Sequence, residues 1–131
     1  MIQLSIVTIN YNNADGLRRT ISSIANQTFQ NFEHIIIDGN STDTSKQIIL
    51  DYSDRESEIL IKWVSEVDQG IYNAMNKGIL LSSGDFLLFL NSGDTLHDEF
   101  VIENCMKIID TNADLCSGQL TLKSESKEIT L

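Results

Sequence analysis

Short apolar runs alternate with amphipathic segments along most of the chain. The runs are rich in β-branched residues and bounded by polar turns, which is typical of β-strands. Five such runs are found, at Leu4–Ile9, Phe32–Asp38, Ile59–Val64, Phe86–Leu90 and, with less regular limits, Leu115–Leu122. A helical pattern lies between each pair of consecutive runs. This βαβαβαβαβ order with short connections predicts an α/β fold, with a doubly wound, mostly parallel sheet and helices on both faces.

The helical segments carry apolar residues three or four positions apart. A first helix is capped by Asp15 and runs to about Gln27, and a second ends near Asp54. A last helix spans Glu99–Asp110. Its predicted inner face consists of Val101, Cys105, Ile108 and Ile109. Each helix is therefore expected to cover the sheet with one apolar face.

The stretch from Ser65 to Asp94 combines a helix, a tight turn and a buried strand, and it ends in a polar loop. The predicted inner face of this helix consists of Ile71, Ala74, Met75, Gly78 and Ile79. The strand Phe86–Leu90 is apolar without alternation, as expected when both faces of a strand are covered. The loop Asn91-Ser92-Gly93-Asp94 follows at its carboxyl end, where open α/β sheets bind their ligands.

Composition narrows the function classes. The chain has 131 residues, 41% of them hydrophobic, so residues 1–131 are expected to form one domain with its own core. Nineteen acidic and nine basic residues give a net charge of −10, which argues against nucleic acid or an anionic membrane as the main partner. An anionic ligand such as a nucleotide then needs local cations or a metal ion.

Since neither a leader nor a membrane-length apolar run is recognised, we expect a cytoplasmic protein. Association with the inner face of the membrane is left open.

Three polar loops follow the first, second and fourth strands: Asn10-Tyr11-Asn12, Asp38-Gly39-Asn40-Ser41 and Asn91-Ser92-Gly93-Asp94. In a parallel sheet these loops emerge at the same edge, which brings Asp38 and Asp94 to one rim. A carboxylate there can hold Mg²⁺ or Mn²⁺ together with phosphate oxygens, and Tyr11 can stack on a base. The alternative is that Asp38 and Asp94 are turn acids without a ligand, since aspartate is common in turns.

Other ligand-binding and catalytic patterns are missing from the sequence. Neither G-x-x-x-x-G-K-[ST] nor G-x-G-x-x-G occurs, which argues against P-loop and dinucleotide-binding proteins. His34 lies inside a predicted strand and is interpreted as structural, and His97 has no partner at metal-ligand spacing. A nucleotidyltransferase normally needs a Gly-rich loop with a basic residue after the first strand, and Asn10-Tyr11-Asn12-Asn13 is not such a loop.

The chain resembles the nucleotide-binding half of family 2 glycosyltransferases, which have the GT-A fold. The resemblance covers nearly all of residues 4 to 118 and rests on the segments SIVTINYNN, ISSIANQTFQNFEHIIIDGNSTDTS, SEVDQGIYNAMNKGILLSSGD and FLLFLNSGD. It implies a nucleotide-diphosphate sugar, usually a UDP-sugar, as the donor. It also implies a glycan or lipid-linked acceptor, as in the synthesis of bacterial surface polysaccharides.

The resemblance further implies the ligand contacts. The expected nucleotide-binding residues are Thr8, Ile9, Asn10 and Tyr11 around the nucleoside, Asp38 at the base, and Asp68. The loop 91–94 matches the Asp-x-Asp metal motif of the family, which often reads Asp-x-Asp-Asp, but Asn91 and Gly93 replace two of its acids. Asp94 remains as the expected ligand of Mg²⁺ or Mn²⁺, in a weakened site.

Family members usually continue into an acceptor-binding half that supplies the catalytic base. This chain contains no motif for such a base, so no catalytic residue is predicted, and we expect a truncated form that binds the donor. The alternative is a non-catalytic domain that binds a nucleotide or a protein partner. An apolar surface exposed by truncation would also leave a homo-oligomer open.

Overall fold

Four parallel strands form the central sheet of the computed structural model, which describes residues 2, 4–108, 121–123 and 128–130. The strands are Leu4–Asn10 (β1), Glu33–Asp38 (β2), Leu60–Ser65 (β3) and Phe86–Phe89 (β4). Their order in the sheet is β3-β2-β1-β4, so the chain first extends to one side of β1 and then crosses to the other. All three strand pairs are parallel, as predicted.

Helices alternate with these strands. They span Ala14–Ala25 (α1), Ser45–Ser53 (α2), Ile71–Leu81 (α3) and Val101–Ile108 (α4). After α4, Thr121–Lys123 (β5) and Glu128–Thr130 (β6) form an antiparallel pair. The predicted strand 115–122 overlaps β5 at its end, and its other residues lie outside the described ones.

Helices pack on both faces of the sheet, which confirms the predicted doubly wound architecture. One core cluster consists of Leu17, Ile21, Ile36, Ile49 and Tyr52, from α1, β2 and α2. Another consists of Val7, Ile35, Ile37 and Ala74, from β1, β2 and α3. Successive side chains of a strand point to opposite faces of the sheet. Ile36 belongs to the first cluster, and its neighbours Ile35 and Ile37 belong to the second, so the two clusters lie on opposite faces.

The inner face of α3 is narrower than predicted. Ala74 and Gly78 are buried, whereas Ile71 and Ile79 are exposed. The reason is the close approach of α3 to β1, because a Cβ atom at position 78 would lie 2.4 Å from Val7 Cγ1. The helix therefore packs through its two smallest residues, and the larger apolar side chains flank the contact.

The prediction that β4 is covered on both faces is wrong for Leu87, which is 41% exposed. β4 is the last strand of the sheet in the described part of the chain and pairs there with β1. A continuous apolar run indicates a strand, but it does not by itself say whether the strand is central or at the edge.

Two helix details also differ from the prediction. Asn13, and not Asp15, caps α1, because Asn13 Oδ1 accepts a hydrogen bond from Gly16 N (3.2 Å). Among the described side chains of α4, Ile102 is buried and Cys105 is exposed. Ile102 and the partly buried Met106 pack against the core, so the predicted inward position of Cys105 is wrong. The predicted inward positions of Ile108 and Ile109 lie outside the described side chains.

The amino end of the sheet contains a buried carboxylate, Glu33, which also contacts the turn before β4. Glu33 accepts hydrogen bonds from Ser5 Oγ (3.0 Å) and Ser83 N (2.9 Å) and pairs with Lys62 (2.7 Å). Burial raises the pKa of Glu33, but Lys62 and the serine donors outweigh this effect and lower the pKa overall. This network lies at the end of the sheet opposite the polar loops.

In the described part of the chain, no helix is long and apolar enough to span a membrane.

Candidate functional site

The carboxyl ends of all four parallel strands are connected by one chain of side-chain hydrogen bonds. Ser92, after β4, donates its hydroxyl to Asn10 Oδ1 at the end of β1 (2.7 Å). Asn10 Nδ2 donates to Asp38 Oδ1 at the end of β2 (2.9 Å). On β3, Ser65 Oγ donates to Asp38 Oδ2 (2.7 Å). The contacts follow the order of the sheet, so the loops predicted to share an edge do share it.

Asp38 is the centre of this hydrogen-bond chain and is fully buried. It also accepts hydrogen bonds from Ser41 N (2.9 Å) and Ser41 Oγ (2.6 Å). Burial alone raises its pKa, but hydrogen bonds from Ser41, Asn10 and Ser65 outweigh burial and hold the pKa below its usual value. Each carboxylate oxygen thus has two donors within the protein. The expected contact of Asp38 with a base stays a prediction, and the geometry favours support of the surrounding loops.

The loops after β1 and β2 are also bonded directly to each other. Asn12 N donates to Ser41 Oγ (2.9 Å), and Asn12 Oδ1 accepts from Thr42 N (2.7 Å). Asn12 and Asn40 have positive φ angles of 46° and 64°, a conformation that asparagine adopts more readily than most residues. Polar contacts therefore stabilise the backbone conformation of both loops.

Tyr11, Gly39 and Asp68, whose side chain is 13% exposed, lie next to one another at this edge. Tyr11 is 65% exposed. A Cβ atom at position 39 would be 3.2 Å from Tyr11 Cδ1 and 3.2 Å from Asp68 Oδ2. Lys77 of α3 pairs with Asp68 and with Glu66, and this pairing holds the Asp68 side chain beside Gly39. The three residues form a small surface with an aromatic ring on one side, a carboxylate on the other and no side chain between them.

Thr8 and Ile9 lie in β1, just before the loop that carries Tyr11. Thr8 is buried, and its hydroxyl is hydrogen bonded to His34 Nε2 (2.8 Å), while His34 Nδ1 is bonded to the Tyr52 hydroxyl (2.8 Å). His34 lies in β2 and is fully buried. Burial lowers its pKa to about 3, so the ring is neutral. The carbonyl of Ile9 accepts from Ser92 N (3.1 Å), which connects β1 to the loop after β4.

Asp94 lies on an exposed turn at the same edge. Its backbone N–H donates to Asn91 O (2.9 Å), and Gly93 has a φ of 100°, a conformation available to glycine but rarely to other residues. Thr20 of α1 contacts the turn from below, since Thr20 Oγ1 lies 2.7 Å from Asp94 O. The carboxylate of Asp94 is solvent-exposed.

Asp94, the predicted metal ligand, is the single carboxylate of the Asn91–Asp94 turn. Among the described residues, no three His, Cys, Asp or Glu side chains converge on a metal position. Mg²⁺ or Mn²⁺ bound to a diphosphate needs only one or two protein carboxylates, because phosphate oxygens and water complete the coordination. One exposed carboxylate after a strand is therefore enough for an ion that is also bound by phosphate oxygens and water. It is too few for a site in which protein groups alone bind the ion.

Two residues of this edge, Thr20 and Ser65, were not predicted from the sequence, and Gly39 and Ser41 were predicted only as members of the polar loop after the second strand. The signal for Thr20 was available, because it is a polar residue on the apolar face of α1, next to Ile21 and three positions after Leu17. Ser65 is the last residue of a strand that otherwise ends in apolar residues. No local signal marks Gly39, since its neighbours Tyr11 and Asp68 are distant in sequence.

The sequence matches a known family over almost its whole length. Residues 5–129 match the family model described as glycosyl transferase family 2. An uncharacterized glycosyltransferase of Mycobacterium tuberculosis is 37% identical over 107 residues, which cover 81% of this chain and 39% of that protein. A PGL/p-HBAD biosynthesis glycosyltransferase of the same organism is 34% identical over 122 residues, or 92% of this chain and 47% of that protein. The chain thus spans less than half the length of these curated relatives.

Solved structures show the same fold. S. aureus TarS 1-349 in complex with UDP-GlcNAc superposes with a TM-score of 0.71 at 22% identity, over 81% of this chain and 30% of that one. The mannosyltransferase PcManGT from Pyrobaculum calidifontis, in complex with GDP-Man and Mn²⁺, superposes with a TM-score of 0.74 at 17% identity, over 80% of this chain and 31% of that one. These likenesses confirm the predicted GT-A fold class.

Proposed function

Because this chain belongs to glycosyl transferase family 2, we propose that it binds the nucleotide-diphosphate sugar of a sugar-transfer reaction, with a UDP-sugar as the first candidate. The observation that carries the proposal is the hydrogen-bond chain from Ser92 through Asn10 and Asp38 to Ser65. It holds the four strand ends together, so that an aromatic ring, an open glycine and an exposed carboxylate lie on one edge. The nucleotide sugars bound by TarS and PcManGT support this choice of ligand class.

The nucleoside end of the ligand is assigned to Tyr11, Gly39 and Asp68. A base stacks on the exposed ring of Tyr11, and the missing side chain of Gly39 leaves room for it beside Asp68. The carboxylate of Asp68 accepts a hydrogen bond from the base or the ribose. Asp38 and Asn10 stay beneath this surface and keep the two loops in place.

The diphosphate end is assigned to Asp94. The Asn91–Asp94 turn presents this carboxylate at the same edge, where it can hold Mg²⁺ or Mn²⁺ against phosphate oxygens. Bound there, the ion neutralises part of the diphosphate charge and stabilises the departing nucleotide. An ion also offsets the net charge of −10 of the chain, which otherwise repels an anionic ligand.

The whole transfer reaction is a proposal of the same kind. In it, a base takes the proton of an acceptor hydroxyl on a glycan or lipid-linked sugar. The hydroxyl oxygen then bonds to the anomeric carbon of the donor as the bond from that carbon to the nucleotide diphosphate breaks. The described residues hold the donor, and we assign the catalytic base to none of them. We further propose a role in cell-surface polysaccharide synthesis on the cytoplasmic side of the membrane, supported by the resemblance of the Asn91-Ser92-Gly93-Asp94 loop to glycosyltransferases associated with bacterial surface polysaccharides.

Calorimetric titration of the chain with UDP, with and without Mn²⁺, tests the proposal. We expect UDP to bind more tightly with Mn²⁺, and Asp94→Asn to remove this difference without weakening metal-free binding. Asp85→Asn is the matched control, because Asp85 is also exposed but lies at the amino end of β4. The proposal fails if the folded wild-type chain does not bind UDP at millimolar concentration.

The nucleoside assignment has its own test. Tyr11→Ala is expected to weaken binding of UDP with and without Mn²⁺ by about 1–3 kcal/mol, the usual contribution of a base stacked on an aromatic side chain. Tyr11→Phe keeps the ring and should retain the affinity. Equal losses in both variants would show that the hydroxyl, and not stacking, is the contact.

A further inference from the structure

One buried hydroxyl of α1 contacts the backbone of the turn that carries Asp94. Thr20 has no solvent exposure. Its Oγ1 lies 2.7 Å from Asp94 O, 3.0 Å from Gly93 N and 3.3 Å from Asn91 O. It is also 3.1 Å from Gly16 O, the usual partner of a threonine inside a helix. Three backbone groups of the turn therefore surround a single side-chain oxygen.

The hydrogen-bonding capacity of a hydroxyl determines what Thr20 does. A hydroxyl has one proton and two lone pairs, so Thr20 accepts the proton of Gly93 N–H and donates its own to one carbonyl. The shortest of the three carbonyl distances is the one to Asp94, which favours donation to the turn over the bond within the helix. The hydroxyl thus connects the donor of Gly93 with the acceptor of Asp94.

Among the described residues, Thr20 is the fully buried side chain that contacts both Gly93 and Asp94, whereas Ser23 Oγ accepts from Leu96 N (3.2 Å), two residues further along the chain. Gly93 has a φ of 100°, and Asp94 follows it with an exposed side chain. Asn13 Nδ2 donates to Ser92 O (3.3 Å) at an exposed position, and this contact holds the first half of the turn. The direction in which the Asp94 carboxylate leaves the backbone therefore depends on Thr20.

We propose that Thr20 is a positioning residue for the metal-dependent part of nucleotide binding, acting through the backbone of Gly93 and Asp94. This inference rests on the proposed function for the identity of the ligand. It assigns to the middle of α1 a role at the diphosphate end of the site, although Thr20 itself touches neither the nucleotide nor the metal ion.

Two substitutions separate the hydroxyl from the volume of the side chain. Thr20→Val keeps the β-branched shape and removes the hydroxyl, whereas Thr20→Ser keeps the hydroxyl and removes a methyl group. Ser22→Ala is the control, because it removes an exposed hydroxyl from the same helix. Titrations with UDP, with and without Mn²⁺, provide the first measurement. Hydrogen exchange of the backbone amides, followed by NMR, provides a second one that needs no ligand.

Thr20→Val is expected to reduce the gain in UDP affinity from Mn²⁺ about 10-fold or more, as when a partner that orients a metal ligand is lost. Metal-free UDP binding should stay unchanged, and Thr20→Ser should restore the gain. In the exchange experiment, the Gly93 amide should lose protection in Thr20→Val, while the Ser92 amide, which donates to Ile9 O, keeps it.

The outcomes distinguish this inference from the proposed function. A wild-type chain without any Mn²⁺ effect overturns the metal role of Asp94 and with it the ligand part of the inference. A wild-type Mn²⁺ effect that Thr20→Val retains overturns the role of Thr20 alone. Equal losses with and without Mn²⁺, or failure of Thr20→Ser to restore the gain, indicate a general packing role and also overturn it. Should Thr20→Val fail to fold, rapid exchange of the Gly93 amide in the wild type would refute the contact directly.

Discussion

The substitution Asp38→Asn tests the hydrogen-bond network on which the candidate site depends. The side chain keeps its shape, but one of its two oxygens becomes an NH₂ group. Ser41 Oγ and Ser65 Oγ can rotate and accept from that group. The backbone N–H of Ser41 and the amide of Asn10 cannot do so, since Asn10 Oδ1 is already bonded to Ser92. In either orientation of the new amide, at least one buried donor loses its acceptor.

The magnitude follows from these contacts. One buried donor without an acceptor costs about 1–3 kcal/mol, and the remaining hydrogen bonds lose the strength that a charged acceptor provides. We therefore expect the free energy of unfolding to fall by about 2–4 kcal/mol. For a domain of this size that corresponds to a decrease in Tm of roughly 6–16 °C. UDP affinity should also fall, with and without Mn²⁺, because the loops that carry Tyr11 and Gly39 lose their support.

Urea denaturation at pH 7 measures this change. Asp15→Asn is the matched control, because Asp15 is almost fully exposed and, among the described residues, forms an ion pair with Arg18 alone, at 3.4 Å. Its free energy of unfolding should stay within about 0.5 kcal/mol of the wild type. A loss below about 1 kcal/mol for Asp38→Asn, with an unchanged denaturant slope, would contradict the network as described.

The pH dependence provides a second check on the same residue. The folded state holds the pKa of Asp38 below its usual value, so its carboxylate stabilises the fold above the unfolded pKa of about 3.9. This stabilisation disappears as the pH falls through the folded pKa. The difference in stability between wild type and Asp38→Asn should therefore be largest above pH 5 and shrink as the pH falls below about 4. A difference that is independent of pH would mean that the charge of Asp38 does not contribute.

Two further substitutions test the core beneath the site. His34 stays neutral when folded, with a pKa of about 3, while the unfolded ring takes up a proton near pH 6.5. The wild type should therefore lose about 2 kcal/mol of stability between pH 8 and 5 through this residue. His34→Gln should remove this part of the loss in denaturation curves measured across that range, and equal losses in both proteins would contradict it. Gly78→Ala places a Cβ 2.4 Å from Val7 Cγ1, and the resulting cost of about 1–3 kcal/mol should exceed the gain of up to about 1 kcal/mol in helix propensity. In a double-mutant cycle, Val7→Ala should relieve this cost, and additive effects would show that the two side chains do not compete for space.

Local pattern was enough to predict the order and type of the four parallel strands and their helices. Apolar runs and helical spacing record which residues of one segment face the core. The positions of Tyr11, Asp38 and Asp94 at strand ends follow from the same pattern, because the residue after an apolar run lies where the strand leaves the sheet. The resemblance to family 2 glycosyltransferases could be stated from these segments alone, and the family match supports it.

The roles of single residues depended on contacts between distant segments. Asp38 and Asp94 both follow strands, yet the first is buried under four hydrogen bonds and the second is exposed. The difference arises from the positions of the two strands. Asp38 ends β2, which has a neighbouring strand on each side, whereas Asp94 lies on the turn after β4, the last described strand of the sheet. Thr20 contacts a turn more than seventy residues away. The periodicity of one segment cannot predict these contacts. Burial and hydrogen bonding at this edge depend on the order of the strands in the sheet and on which loops contact which helices.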